Sequence, residues 1–403
     1  MSPPADRLTL PRSWFTVVSL LIAPLALGAG VAWLEARHRL RPASPLRLMA
    51  RDWKVSSSAD VLRVDGVLEI SNPHPRMEVF VPELRVEPTL LGKADLSGLT
   101  VTIRIQADHP DEEPRADGYW AAYIVKGRKT TRAWVTIEIR GGAALELVDT
   151  LWVDVQWINY GPFGRLSRRQ GVPVPLRCPD PLPADQAPWQ SGEGCSVLPL
   201  KTHLLGPLDD PIEVLRRYAA PLLQPGDVLT IGETPLAVIQ GRYQHPSEVE
   251  PGLVARLACR VFHPTSSLAT ACGMQTLIDV VGPTRVIAAW IGGLLMKLVS
   301  IPGGFYRLAG DQARLIDDIT GTTPPYDQTI VLGPERSASF CAEASAALGV
   351  DVAIVDVNDL GRVKVLASSA GCDEPLLQRA LKPNPAGNAN QRTPLVLVRP
   401  GRG

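Results

Sequence analysis

The sequence predicts a multi-domain α+β protein: an N-terminal transmembrane helix, then a β-sandwich, then a mixed α/β domain. Three observations predict this class: an uncharged apolar stretch near the N-terminus, a series of short alternating strands after it, and interleaved helices and strands beyond a Pro/Gly-rich segment. The 403 residues are enough for roughly two to three domains. Because 41 basic residues balance 41 acidic ones, the chain is not expected to bind nucleic acid.

Residues 13–34 carry no charge and are long enough to cross a bilayer core of about 30 Å as a helix. They separate an N-terminal tail (1–12) from a basic juxtamembrane linker (35–52). Arginine is sparse before this stretch and frequent after it, so the positive-inside rule predicts a single-pass membrane protein with its C-terminal domains in the cytoplasm. A cleaved signal peptide is the alternative that this pattern leaves open.

Residues 53–176 consist of short segments rich in β-branched and aromatic residues, separated by turn-forming residues. Several such strands without a helical period between them predict an antiparallel sandwich. The stretch VDGVLEISNPHPRMEVFVPEL is similar to the fibronectin-like sandwich domains of late-embryogenesis-abundant proteins. No catalytic combination of residues occurs here, so we interpret the module as a spacer or an interaction domain.

Residues 177–196 are dense in Pro, Gly, Ser and Asp, which is typical of a linker. Cys178 and Cys195 bracket this segment. They would form a disulfide in an oxidising compartment, whereas free thiols are expected in the cytoplasm.

Residues 197–403 alternate strands and helices, which predicts a mixed α/β domain. Asp210 and Pro211 form a helix start, and Gly349 ends a later helix. The apolar segment 285–301 is interrupted by Arg285 and Lys297, so we expect a buried or interfacial helix rather than a second membrane span. The fingerprints of P-loop NTPases, GxSxG hydrolases and Rossmann dehydrogenases are absent from the sequence.

Five segments occur in a specific order in this domain: LPLKTHLLGPLDDP, PGDVLTIGETPLAVIQGR, FYRLAGD, PPYDQTIVLGPERSA and DVNDLGRVKVLASSAG. Together they resemble the coenzyme F420-0:L-glutamate ligase family over most of residues 197–400. The resemblance implies an enzyme that uses GTP and Mg²⁺ or Mn²⁺ to join glutamate to the carboxylate of a small-molecule acid as an amide. It also implies a homodimer.

The resemblance assigns nucleotide contacts to the first strand of this domain. Leu200 and Lys201, followed by Thr202 and His203, match the family's Pro-apolar-Lys-Thr strand. Lysine, threonine and histidine also supply a cation, a hydroxyl and a ring N–H, the donors that phosphate oxygens need.

The resemblance places the divalent metal on oxygen ligands from separate loops. Asp311 matches the family's metal loop with one residue missing from the spacing. Asn358 and Asp359 stand where the family has Asp-Thr, and Asp356 is a neighbouring substitute. Further carboxylates surround the loop GTTPPYD: Asp317, Asp318 and Asp327.

One departure concerns the family's Ser-Lys pair after the second strand. Here Glu233, Thr234 and Pro235 occupy that place, so the lysine is missing. The cations that would stabilise phosphate charge in its stead are Arg242, Arg314 and Arg336. The departure leaves three hypotheses open: a glutamyl ligase, an amide ligase with another acid and amine, and an inactive ligase-like scaffold at the membrane.

Overall fold

The protein is described from a computed structural model, which covers residues 12–39, 44–301, 303–318, 323–358, 360–387 and 391–401. Residues 1–45 and 46–403 form two separate compact units. Of the predicted tail, residues 1–12, only Arg12 is among the described residues.

The first unit contains helix α1 (Arg12–Arg39), which includes the whole predicted span 13–34. Among the described residues, no single helix has both the length and the hydropathy of a membrane crossing. The side chains of residues 12–23 are outside the described set, so the membrane anchor stays a prediction.

The second unit begins with a sandwich of two antiparallel sheets. Its strands are β1 (Arg47–Ser57), β2 (Val61–Ser71), β3 (Val79–Val81), β4 (Leu84–Gly92), β5 (Thr100–Asp108), β6 (Tyr123–Val125), β7 (Thr130–Arg140), β8 (Val148–Gly161) and β9 (Gly164–Pro175). One sheet has the order β1-β2-β7-β5. The other has the order β4-β8-β3-β6, with β9 paired to β8.

Side-chain alternation explains the sandwich. In β7 the residues Thr131, Ala133, Val135, Ile137 and Ile139 are buried, while the residues between them are more exposed. Successive side chains of a strand point to opposite faces, so every second residue enters the core between the sheets. The predicted sandwich is therefore present.

Two strands of the sandwich differ from the sequence prediction. Strand β1 begins at Arg47, inside the predicted linker, because Leu46 and Leu48 enter the sandwich core. Strand β9 follows β8 through a tight turn at Gly161–Gly164 and was not predicted. Its first half is polar and exposed, so it lacks the hydrophobic alternation that identifies a strand.

The rest of the chain forms the α/β domain. Its strands are β10 (Gln190–Gly192), β11 (Cys195–Leu200), β12 (Val228–Gly232), β13 (Tyr243–Gln244), β14 (Asp317–Asp318), β15 (Ile330–Val331), β16 (Asp351–Val357), β17 (Val363–Ser368) and β18 (Leu395–Pro400). Its helices are α2 (Pro211–Ala219), α3 (Glu233–Ile239), α4 (Leu253–Ala258), α5 (Ala271–Val281), α6 (Pro283–Leu298), α7 (Gly304–Ala309), α8 (Gln312–Leu315), α9 (Ser337–Leu348) and α10 (Glu374–Leu381).

A six-stranded mixed sheet organises this domain, in the order β10-β11-β18-β12-β16-β17. Only β12 and β16 among these neighbours run parallel. Helices α2 and α9 pack on one face of the sheet and α10 on the other. Because β10 and β11 start before residue 197, part of the predicted linker belongs to this sheet.

The predicted helix ends are confirmed. The Asp210 carboxylate accepts hydrogen bonds from the backbone N–H groups of Ile212 and Glu213 at 2.9 Å, and Pro211 starts α2. Gly349 follows α9 with φ 73°, the left-handed conformation that favours glycine at a helix end.

Aromatic side chains join the sandwich to the α/β domain. The ring of Trp152 on β8 meets that of Tyr326 edge to face at 5.3 Å, and Tyr326 meets Tyr243 in the same way at 4.9 Å. The Tyr243 hydroxyl donates to the carbonyl of Gly171 on β9 at 2.5 Å. The sandwich is therefore packed directly against the α/β domain.

Candidate functional site

A cleft of about 290 Å³ opens where several strands of the α/β domain end. Strands β12 and β16 run parallel, and the register pairs Gly232 with Val355, so both strands end at its floor. Ligands of α/β proteins commonly bind at such carboxyl ends of strands. The remaining walls come from the segments 202–205, 381–387 and 392–396.

Thr202 and His203 line the cleft, as the resemblance implied for nucleotide contacts. The His203 ring is nearly fully buried. Its Nε2 lies 2.8 Å from Asp209 Oδ1 and its Nδ1 lies 2.7 Å from the Tyr218 hydroxyl. Both ring nitrogens are therefore engaged within the protein, and the ring supports the cleft wall.

The Cys178 thiol lies beside this network. Burial works against the charged form of His203, but the hydrogen bonds that its ring makes to Asp209 and Cys178 outweigh it and raise the pKa of His203 to about 9. The same hydrogen bond from His203 lowers the pKa of the Cys178 thiol. Cys178 and Cys195 are both free thiols.

Arg392 lies in the cleft lining, and Lys201 and Lys93 lie near it but outside the lining; together these three cations form the cationic end of the site. The Arg392 carbonyl accepts a hydrogen bond from the Thr202 backbone N–H at 2.9 Å. Lys201 is exposed, and its pKa is lowered chiefly by the like charge of Lys93, with burial and Arg392 adding to the effect. Lys93 belongs to the sandwich, so both domains contribute positive charge here.

Three carboxylates face the same cleft: Glu233, Asp317 and Asp356. Burial first, and then the charges of Asp356 and Asp317, raise the pKa of Glu233 to about 8. Burial and Asp356 raise the pKa of Asp317 to about 6. Within the described part of the chain, no hydrogen-bond partner reaches Glu233 Oε2, although this atom is buried. Lys364 on β17 lowers the pKa of Glu233 in part, but burial and the two other carboxylates outweigh it, so ionising all three groups is costly.

The other predicted site residues lie elsewhere. Leu200 is buried in the sheet core, and Lys201 stands beside the cleft rather than in its lining. Asp311 precedes α8 and Arg314 lies within it, both exposed and outside the cleft lining. Asp359 lies outside the described residues.

Asn358 closes the turn between β16 and β17. Its side-chain oxygen accepts from the backbone N–H groups of Leu360 at 3.1 Å and Arg362 at 3.0 Å. Arg242 is held by the Gly333 carbonyl at 2.6 Å and by the Glu335 carboxylate. Neither side chain faces the cleft, so the carried-over ligand set is not assembled there.

The cleft residues that the site prediction missed are Glu233 and Arg392. Glu233 follows directly on the mostly buried strand VLTIG (Val228–Gly232), so the sequence already placed it at a strand end. Arg392 precedes the last strand and had no such signal. In the described residues, no group of three or more His, Cys, Asp or Glu side chains has a geometry that holds a metal ion.

The fold and cleft together define an Ig-like sandwich joined to an α/β domain that has a ligand cleft at its strand ends. Residues 47–178 match the family model described as F420-0:gamma-glutamyl ligase, N-terminal Ig-like domain. This match confirms the family resemblance. It falls in the sandwich, whereas the motifs that predicted the family lie in residues 197–400. Two separate parts of the chain thus indicate the same family.

Some solved structures are similar over a limited part of the chain. The GAE domain of yeast GGA1 is 14% identical, with 34% of this chain and 96% of that chain covered and a TM-score of 0.20. The GAE domain of GGA2p from Saccharomyces cerevisiae is 12% identical, with 34% and 96% covered and a TM-score of 0.21. AvmM, which catalyses macrocyclization in alchivemycin A biosynthesis, is 9% identical, with 33% and 88% covered and a TM-score of 0.18. Such low scores carry no inference. The comparison with curated proteins finds no match.

Proposed function

We propose that the protein is a membrane-anchored amide ligase that uses GTP and a divalent metal to join glutamate to the carboxylate of a small-molecule acid. The observation that carries the proposal is a cleft lined by Arg392 and by three carboxylates, with Lys201 and Lys93 near Arg392, in a chain whose sandwich matches the N-terminal Ig-like domain of F420-0:gamma-glutamyl ligase. α1 would supply the anchor.

The cationic end fits nucleotide phosphates. Lys93, Lys201 and Arg392 lie close enough for their charges to interact, and Asp149, 3.9 Å from Arg392, offsets only part of their repulsion. A bound phosphate would offset more of it. GTP supplies the phosphoryl group that activates a carboxylate for attack by an amine. The residues of this chain would bind and orient it, and Tyr326 forms part of the cleft wall.

The acidic end, formed by the three carboxylates, fits a divalent cation. Mg²⁺ commonly binds to one or two carboxylates and completes its shell with water and substrate phosphates, so it does not require three protein ligands at contact distance. Asp317 and Asp356 are the carboxylates that would hold it, and Glu233 would complete the negative wall behind them. The cation would offset the repulsion that raises the pKa values of Glu233 and Asp317.

The test is calorimetric titration of the purified full chain with GTP, with Mg²⁺ or Mn²⁺ present or with metal chelated. Binding is expected only with metal. Lys201→Ala should weaken it by about tenfold or more, since a charge-assisted phosphate contact contributes about 1.5–3 kcal/mol. Lys129→Ala, at an exposed lysine of the sandwich, is the matched control. Absence of GTP binding with either metal would refute the proposal.

A specific observation also favours an inactive scaffold. Glu233 and Thr234 stand where the family has Ser-Lys, so the cleft has an acid near a position where the family has a cation. Incubation with GTP, metal, glutamate and coenzyme F420-0, followed by mass spectrometry, distinguishes the active ligase from the inactive scaffold. A glutamyl amide of F420-0 supports the ligase, and GTP binding without any amide product supports the scaffold; repeating the incubation with other acids and amines tests for different substrates.

A further inference from the structure

Helix α6 presents an apolar stripe to solvent. Its members are exposed and recur at the spacing i, i+4, i+7, i+8 and i+11, which places them on one face of the helix. They are Ile287, Ile291, Leu294, Leu295 and Leu298. Leu295 is 60% exposed and Leu298 is 81% exposed. Contiguous apolar surface of this kind marks a contact with a protein or a membrane.

The opposite face of α6 is firmly packed. Val286 and Ala289 are buried in a cluster with Phe305 and Ala309 of α7. A Cβ added at Gly293 would lie 2.8 Å from the Phe305 backbone nitrogen, so α7 approaches the helix closely at this glycine. The stripe is therefore held outward by a packed core, and α6 cannot turn it inward without losing these contacts.

The basic residues on and near α6 favour one class of partner, an anionic membrane surface. Residues 283–310 contain Arg285, Lys297 and Arg307 but no aspartate or glutamate. A basic helix with an apolar face is typical of helices that lie in the membrane interface and contact anionic lipids. A symmetric contact between two copies of this face would instead bring like charges together, because a two-fold interface pairs a surface with itself.

The geometry excludes a straight crossing. The 16 residues of α6 span about 24 Å at 1.5 Å per residue, less than the roughly 30 Å of a bilayer core. Helices α5 and α6 together have the length and hydropathy of a membrane span, but the axis of one is bent by 113° relative to the other. One face of α6 is also committed to the protein core.

We propose that α6 is a membrane-interface helix whose apolar stripe inserts at the boundary between headgroups and acyl chains of an anionic bilayer. Arg285 and Lys297 of α6 and Arg307 of α7 contact lipid phosphates. This surface is separate from the ligand cleft and does not depend on ligase activity. It would hold the second unit against the bilayer independently of α1.

The test uses the full chain reconstituted in phosphatidylcholine vesicles, with or without phosphatidylglycerol. A lipid with a photoreactive group near its glycerol is activated, and the modified peptides are identified by mass spectrometry. Adducts are expected within residues 283–301, and more of them with phosphatidylglycerol. A vesicle sample without adducts in this segment overturns the proposal, as does cross-linking of α6 to a second copy.

Two sets of variants sharpen the result. Leu294→Glu with Leu298→Glu should reduce adducts in this segment about tenfold, whereas Leu360→Glu, at a position 92% exposed in the β16–β17 turn, should not. If the double variant melts at a lower temperature, Arg285→Gln with Lys297→Gln replaces it, and the phosphatidylglycerol preference should disappear. A probe at the acyl terminus that labels α6 more strongly than the glycerol-level probe would indicate a crossing and refute an interfacial position.

Discussion

Replacing Glu233 by glutamine removes the costliest ionisation in the cleft while preserving size and shape. The pKa of Glu233 rises from an ordinary 4.5 to about 8, mainly through burial and then through Asp356 and Asp317. That difference of 3.5 pKa units corresponds to about 5 kcal/mol at 1.36 kcal/mol per unit. Below about pH 4.5 the group is neutral in both folded and unfolded chains, and it contributes no difference.

As pH rises from about 4.5 to 8, the unfolded chain loses this proton first, so the wild type loses stability over that window. Glu233→Gln should therefore equal the wild type near pH 4 and exceed it near pH 9 by up to about 5 kcal/mol. For a domain of this size that is a rise in melting temperature of about 10–20 °C.

The assay is thermal unfolding followed by circular dichroism, in chelator, at pH values across this window. Glu343→Gln, at an exposed carboxylate of α9, is the control and should show no such trend. A stability gain that is the same at every pH would refute the reasoning, as would no gain near pH 9. Mg²⁺ should narrow the gap between wild type and Glu233→Gln, because a bound cation offsets the same charge.

Three further predictions concern groups outside the carboxylates. The Cys178 thiol has a lowered pKa, whereas burial raises the pKa of Cys372 to about 11. Iodoacetamide at about pH 7 should therefore modify Cys178 at least ~100-fold faster than Cys372. Mass spectrometry of timed samples measures both rates. Comparable rates would contradict the effect of the neighbouring imidazole. Arg399→Ala should lower the free energy of unfolding, measured in urea, by about 3–5 kcal/mol. The reason is that the buried carboxylate of Asp227 loses its bidentate partner at 2.8 Å. Arg399→Lys should lower the free energy of unfolding less, because it keeps the positive charge. Tyr243→Phe should cost about 1 kcal/mol by losing its bond to β9, and an unchanged unfolding midpoint would show that this contact does not couple the domains.

The elements of the fold were predictable from local patterns. Side-chain direction and backbone conformation depend on near neighbours in the chain, so a few residues are enough to predict them. Examples are the alternation in β7, the cap at Asp210 and the glycine after α9. Strand β9 escaped prediction since its exposed first half carries no hydrophobic alternation.

The site was predictable only in part. Thr202 and His203 lie in the cleft, but Asp311 and Asn358 do not, because a motif specifies residue types in order and not where its loops meet. The charge of Lys93 next to Lys201 depends on packing between two domains, which no local pattern encodes.

The order of motifs and the strand alternation are properties of the linear chain, and they were sufficient to predict the resemblance to the F420-0:gamma-glutamyl ligase family, the sandwich and the mixed α/β region. Which of the candidate charged groups meet in the cleft was decided by the tertiary structure alone. Glu233, Asp317 and Asp356 come from three separate segments, and the pKa values of Glu233 and Asp317 are set by desolvation and by charges distant in sequence. Electrostatic interactions act through space, so only the folded chain shows which charges face each other.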